Sequence, residues 1–270
     1  MSTRWWGPFS FEMGQTRLWR MGPFEMWLQR QEREFRLSTM ASPHRDTPDL
    51  VSGATTTLEA PADAEVIRFG VDSSVDQLEI QPVTSDRAAV FKSDDPYLVP
   101  PGGEVTAFLS SPVWLRLQLM NPVRVLHELA TYRPSDTWFG PSTLEGELCY
   151  AVRTSVRYNL QNLATRPSRA ITVVRIANPA PTVLPLARLR LPLPNLSLFA
   201  GEDGGLWTEF VTLERRHDGD LAEIRLARTA PPEAGRCTLV GKPREDIGRH
   251  SLIRSFTSLL GISGDRIGHV

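Results

Sequence analysis

Residues 144–160 read Leu-Glu-Gly-Glu-Leu-Cys-Tyr-Ala-Val-Arg-Thr-Ser-Val-Arg-Tyr-Asn-Leu, and their alternation decides the fold class. Even positions carry Leu144, Gly146, Leu148, Tyr150, Val152, Thr154, Val156, Tyr158 and Leu160, while odd positions carry Glu145, Glu147, Cys149, Ala151, Arg153, Ser155, Arg157 and Asn159. Side chains of an extended chain point alternately to two faces, so this period of two predicts a strand with one apolar and one polar face. Fully extended, the stretch would reach about 55 Å, beyond an ordinary strand, which predicts a bend or bulge near its middle.

The same rule works outward along the chain. Val113, Leu115, Leu117 and Leu119 alternate with Trp114, Arg116 and Gln118, and Ala187, Leu189, Leu191 and Leu193 alternate with Arg188 and Arg190. Residues 171–176 are apolar on both faces apart from Thr172 and Arg175, the mark of a central strand. Residues 206–215 and 221–228 read as two strands joined through His217-Asp218-Gly219-Asp220, and Pro101-Gly102-Gly103 reads as a second tight turn, between 97–99 and 105–109. The 22 prolines fall mostly between apolar runs, where a residue without a ladder donor punctuates strands. An echo, Gly7-Pro8-Phe9 and Gly22-Pro23-Phe24, predicts two successive hairpins.

These patterns predict an all-β chain of sandwich- or barrel-like antiparallel sheets. Leu252, Ile253, Phe256, Leu259 and Leu260 lie on one helical stripe ahead of Gly261, which predicts one C-terminal amphipathic helix capping the sheets. The expected sections are 1–133 (with an exposed linker at 41–62), 134–245, and a helix and tail at 246–270.

Charge excludes several function classes. The 270 residues hold 30 basic and 31 acidic side chains, net −1, whereas a general nucleic-acid or membrane-surface binder needs an excess of positive charge. The distribution is uneven: residues 41–105 carry 4 basic against 12 acidic groups, and residues 106–200 carry 10 against 4. Opposed strands that pair their charges account for this most simply. Lys92 and Lys242 are the two lysines; every other basic residue is arginine, which forks onto carboxylates and stacks on rings. Cys149 and Cys237 are too few for a disulfide scaffold or a four-cysteine zinc site. No run approaches the ~18 apolar residues of a membrane span, and the N-terminus lacks the basic and apolar regions of a signal peptide. The expectation is a soluble cytoplasmic protein without a cofactor.

Motifs for chemistry are incomplete. His127-Glu128 begins like a zinc-protease helix, but Thr131 stands where the second histidine is due, so no metal site is expected. Glu145 and Glu147, at i and i+2 of one strand, would project from the same face roughly 6.5–7 Å apart, a spacing at which two carboxylates can divide acid and base roles in sugar hydrolysis. Asp136 and Trp138 just upstream would supply a further acid and an aromatic platform. Salt bridging, with Arg153 and Arg157 further along the face, is the simpler account, so these acids are candidates for a hydrolase only as the alternative reading. A nucleic-acid surface would draw on Arg153, Arg157, Arg166, Arg169, Arg175, Arg188 and Arg190. Tyr150 and Tyr158 have the opposite parity to Arg153 and Arg157, which separates stacking from phosphate contact and disfavours that role.

Asp136-Thr137-Trp138-Phe139-Gly140-Pro141, followed by Gly146-Glu147-Leu148-Cys149-Tyr150 and Arg153, resembles an uncharacterised prokaryotic family known mainly from archaea. Its layout matches across most of the chain: an N-terminal Trp/Gly/Pro hairpin, a β-rich middle and a C-terminal helix. Some relatives are joined to small-conductance mechanosensitive channel domains, so the resemblance implies a regulatory or accessory role and a channel as partner. It carries over no catalytic residues.

The preferred expectation is therefore a non-catalytic binding or regulatory module. Its surface would comprise Trp138, Glu145, Glu147, Arg153 and Arg157, facing a protein partner or a small ligand, with a homodimer as one form of partner.

Overall fold

A computed structural model describes residues 4–41, 50–140, 144–215, 221–246 and 250–257. The alternating segments do form strands. The first third of the chain holds β1 (Gly7–Ser10), β2 (Thr16–Met21), β3 (Phe24–Gln31), β4 (Glu34–Ala41), β5 (Leu50–Val51), β6 (Glu65–Gly70) and β7 (Gln77–Val83). The middle holds β8 (Ala89–Val99), β9 (Glu104–Pro112), β10 (Trp114–Met120), β11 (Val123–Ala130), β12 (Ser135–Phe139), β13 (Glu147–Val152) and β14 (Arg169–Ala177). The last part holds β15 (Leu184–Leu191), β16 (Leu198–Gly201), β17 (Leu206–Thr208), β18 (Val211–Arg215), β19 (Leu221–Leu226), β20 (Cys237–Gly241), β21 (His250–Arg254) and β22 (Phe256–Thr257).

Four sheets result. Their strand orders are β1-β7-β10-β11, β5-β2-β3-β4-β6, β12-β13-β8-β15-β22 and β20-β16-β17-β14-β18-β19-β21, with β9 also paired to β14 in the last. Each amphipathic sheet buries its apolar face against another. Leu78, Ile80, Leu115 and Leu117 of the first sheet share a core with Trp19, Met26, Leu28 and Phe35 of the second. Phe91, Leu189 and Leu191 of the third share another with Val174, Ile176, Leu213 and Ile224 of the fourth. Burying each such side chain is worth roughly 1.5–3 kcal/mol, so the two cores are the main driving force. β14 is the central strand its composition predicts. β9 pairs with it over its whole length, and β17 and β18 follow each other along its second edge.

Several details differ from expectation, each for a local reason. The sheets are mainly antiparallel, but β13–β8, β14–β17 and β14–β18 are parallel pairs. The long alternating stretch is not one bent strand: β13 ends at Val152 and the chain turns away to meet β9, where Thr154 donates to the Ser110 carbonyl at 2.7 Å and Arg157 bridges to Phe108. Residues 206–215 break at Glu209-Phe210, because Glu209 turns fully inward to accept hydrogen bonds from Ser197 N and Oγ and from Arg228 N. A bulge at Ala187 displaces it from the core while Leu189 and Leu191 stay inside. The turn at Pro101-Gly102-Gly103 joins strands of different sheets, so it is no hairpin. Of the two Gly-Pro-Phe copies, only Gly22 (φ +55°) makes a hairpin turn, between β2 and β3, while Gly7 opens β1, which pairs with β7. Part of the expected linker forms β5. The loop 216–220 lies outside the described residues, although the strands it was expected to join do pair.

The expected C-terminal helix is corrected. Residues 250–254 form β21 beside β19, and Phe256-Thr257 forms β22 beside β15. Phe256 is buried in the second core, so a strand edge consumed the apolar residues that mimic a helical stripe. Leu259, Leu260 and Gly261 lie outside the described residues. Strand pairing also crosses residue 133: β8 and β9 take their partners from β13, β14 and β15.

Candidate anion pocket where the sheets meet

The acids singled out in the sequence do not converge. Asp136 stands opposite Tyr150 and Glu147 opposite Phe139, so the two lie three residues apart along the β12–β13 ribbon and on opposite faces. Glu145 precedes β13, so the same-face argument does not reach it. Asp136 accepts from Arg87 at 3.2 Å and from Arg133 at 3.1 Å. Glu147 is gripped by Arg190 and accepts from the Cys149 thiol at 3.2 Å. Trp138 is 41% exposed and its cross-strand neighbour Leu148 46% exposed, an apolar pair on the edge strand β12. His127 and Glu128 sit in β11, where Glu128 is held by Arg116 and Arg244, each at 2.6 Å. Among the described residues no three His, Cys, Asp or Glu side chains gather as a metal would require.

Arginines do converge. A pocket of about 260 Å³ is lined by Arg153, Arg166 and Arg169 together with Tyr132, Thr131, Ser168, Pro23 and Pro112. Each sheet contributes. Pro23 comes from the β2–β3 turn, Tyr132 follows β11, Arg153 follows β13, Pro112 ends β9, and Arg169 opens β14.

The turn Arg166-Pro167-Ser168-Arg169 is fixed from several sides. Arg169 N donates to the Arg166 carbonyl at 3.0 Å, closing the turn, and Val113 N donates to the Ser168 carbonyl at 3.1 Å. The Thr131 hydroxyl, buried, donates to the Val113 and Ser168 carbonyls at 2.9 and 3.1 Å. The indole N–H of buried Trp5 reaches the Pro167 carbonyl at 2.9 Å. A pinned turn places two guanidinium stems without a large entropy loss on binding.

Arg169 is the deepest of the three. Its Nε donates to Ser110 Oγ at 2.7 Å, and Nη2 donates to Thr154 Oγ1 at 2.8 Å and to the Ser110 carbonyl. All of these acceptors are neutral. Burial, and then the neighbouring charge of Arg166, push the Arg169 pKa down to about 10. Arg153 lies over the Tyr132 ring, 5.9 Å from its centroid. Among the described residues none of the three arginines has a carboxylate within ion-pair distance, and no Asp or Glu lines the pocket. Elsewhere the arginines pair with acids across strands, as Arg116 does with Glu128 and Arg20 with Glu25. Three uncompensated like charges around one cavity repel each other, and an anion placed between them removes that cost.

Tyr132, Thr131 and Pro23 also form a wall of a neighbouring pocket of about 540 Å³, lined beyond them by Phe24, Met40 and Arg133. Of the residues singled out as binding candidates in the sequence, Arg153 reaches the site, whereas Trp138, Glu145, Glu147 and Arg157 do not line it. Tyr132, Thr131 and Ser168 gave no signal in sequence. The one sequence feature that points there is the Arg166-Pro-Ser-Arg169 run, a proline flanked by two arginines, which the reading of the sequence did not single out.

No curated protein and no solved structure matches the chain. A family model described as Protein of unknown function (DUF432) matches residues 5–260, which takes in every element of the pocket and bears out the resemblance to an uncharacterised family. The chain belongs to the DUF432 family.

Proposed function

We propose that the chain is a non-catalytic binding module that captures a small anion-bearing ligand between Arg153, Arg166 and Arg169 and uses it to regulate a partner. The convergence of three arginines on an acid-free pocket carries the reading. Phosphate, sulfate and carboxylate groups suit it, because the guanidinium fork matches their oxygens bidentately. The pocket's walls come from four sheets, so an anion seated there ties them together and stiffens the junction. Two free thiols, Cys149 and Cys237, fit work in the reducing cytoplasm. The exposed Trp138–Leu148 pair on the edge ribbon is the surface offered to a protein partner. No helix among the described residues is long and apolar enough to cross a membrane.

The test is sulfate or phosphate titration followed by calorimetry and thermal unfolding, at constant ionic strength kept with chloride. Saturable stabilisation is expected, weakened about tenfold by Arg166→Gln and by Arg153→Gln, the scale of one charge-assisted pair. Arg175→Gln, on an exposed position of β14, is the control and should change nothing. Stabilisation that chloride reproduces, or that Arg175→Gln weakens equally, overturns the reading.

A further inference from the structure

The face of the second sheet that points away from its core is not simply left to water. Residues opposite each other on paired strands share a face, so the register sets Thr16, Gln29 and Arg36 in one row of that outer face and Leu18, Trp27 and Ser38 in the next. Trp27 is 5% exposed although it belongs to neither core. Residues 59–62 form the opposite wall, and between the two lies a cleft of about 380 Å³. That volume falls within the range of small-molecule sites.

The cleft is lined for hydrogen bonding and not for charge. Ion pairs flank it on the same face, Arg20 with Glu25 at 2.7 Å and Arg68 with Glu34 at 2.6 Å. Within it, Gln31 Nε2 donates to Gln29 Oε1 at 3.1 Å, which leaves Gln29 Nε2 as a donor and Gln31 Oε1 as an acceptor. Ser38 is 3% exposed, and its hydroxyl has no partner among the described residues. Arg36 and Glu59 supply one charge of each sign and form no ion pair among the described residues, so the lining is neutral as a whole.

We propose that this cleft is a binding site for a small neutral sugar. A hydroxyl both donates and accepts, so neighbouring sugar hydroxyls accept from Gln29 Nε2 and Arg36 while donating to Gln31 Oε1 and Glu59. Trp27, Val66 and Pro61 supply apolar surface for the C–H face of the ring. An anion would meet Glu59 and a cation Arg36, which disfavours a charged ligand. The site shares no residue with the arginine pocket and does not depend on it.

The experiment titrates glucose, galactose, mannose and xylose in turn, by calorimetry and saturation-transfer NMR, with glucuronate as the anionic match. At least one neutral sugar is expected to bind saturably, and more tightly than glucuronate. Gln29→Ala and Arg36→Gln should each weaken it about tenfold, the scale of one lost hydrogen bond to a charged or well-placed group. Arg36 is exposed, so Arg36→Gln decides the matter even where Gln29→Ala disturbs the sheet. Arg166→Gln should leave sugar binding unchanged. The proposal is overturned if none of the four sugars binds, if glucuronate binds as well as they do, or if Arg36→Gln has no effect. Loss of sugar binding in Arg166→Gln also overturns it, because the sugar would then occupy the arginine pocket.

Discussion

The indole N–H of Trp5 donates to the carbonyl oxygen of Pro167 at 2.9 Å across 162 positions of sequence, so the N-terminal segment holds the turn that carries Arg166 and Arg169. Trp19 in turn donates to the Trp5 carbonyl at 3.2 Å, which anchors that segment in the first core. Replacing Trp5 with Phe keeps most of the packing and leaves the Pro167 carbonyl unmet. Stability should fall by about 1 kcal/mol and sulfate affinity by a few-fold. Denaturant unfolding and calorimetry on the same variant measure the two effects, and a stability loss with unchanged affinity would separate the turn from the site.

Titration of Arg169 should appear in anion binding. Its pKa is pushed down to about 10, so the guanidinium is charged at neutral pH and loses its proton as pH rises through that value. Sulfate, which does not itself titrate in this range, should bind with falling affinity as the solution passes about pH 10. Arg169→Met should abolish that step and weaken binding at every pH. Calorimetry across a pH series checks both.

Glu128 joins the first sheet to the loop after β20, since it accepts from Arg116 on β10 and from Arg244, which also donates to the Thr84 carbonyl. Burial works to raise the carboxyl pKa, but the hydrogen bonds from Arg116 and Arg244 outweigh it and hold the value below the ordinary 4.5. A carboxylate depressed in the folded state adds stability above its unfolded pKa, and that share is lost as pH falls through the folded value. Acidification from pH 4.5 downward should therefore destabilise the protein more than it destabilises Glu128→Gln. At neutral pH the variant should already be less stable, by roughly 1–3 kcal/mol, as expected when charged hydrogen bonds of a half-buried pair are removed.

The two thiols should behave differently. Cys149 is buried, and burial first, then its contacts with Glu147, push its pKa up to about 12. Cys237 is half-buried, with its pKa raised by burial and by Asp203 and Glu202. Iodoacetamide should modify one thiol of the native protein, slowly, and the second only after unfolding. Mass spectrometry of the digested protein identifies which.

The fold was largely readable because burial on one face leaves period two in the sequence, as at Val113–Leu115–Leu117 and at Leu189–Leu191. What escaped was whatever depends on partners far away in sequence. Leu252, Ile253 and Phe256 fit a helix by spacing alone, and only the open edges of β19 and β15 make them strands. Parity along 144–160 predicts Leu148 inside and Cys149 outside, yet Leu148 is exposed, while Cys149 is buried in a small apolar cluster with Ala88, Val90 and Phe139 of its own sheet. The site was legible only in part. Arg153, Arg166 and Arg169 stood out as basic residues, but their convergence depends on the end of β13 meeting the turn that opens β14.

The closing strands carry a consequence for synthesis. β14 seals β9, which precedes it by some sixty residues, and β21 and β22 finish two different sheets with the last described stretch of the chain. A nascent polypeptide leaving the ribosome therefore exposes unpaired backbone on β8 and β9 until the later strands emerge, and chain ends cut before residue 250 leave β19 and β15 open to neighbours. Truncated fragments should accumulate as aggregates, and the intact chain should rely on holding chaperones while it is being made.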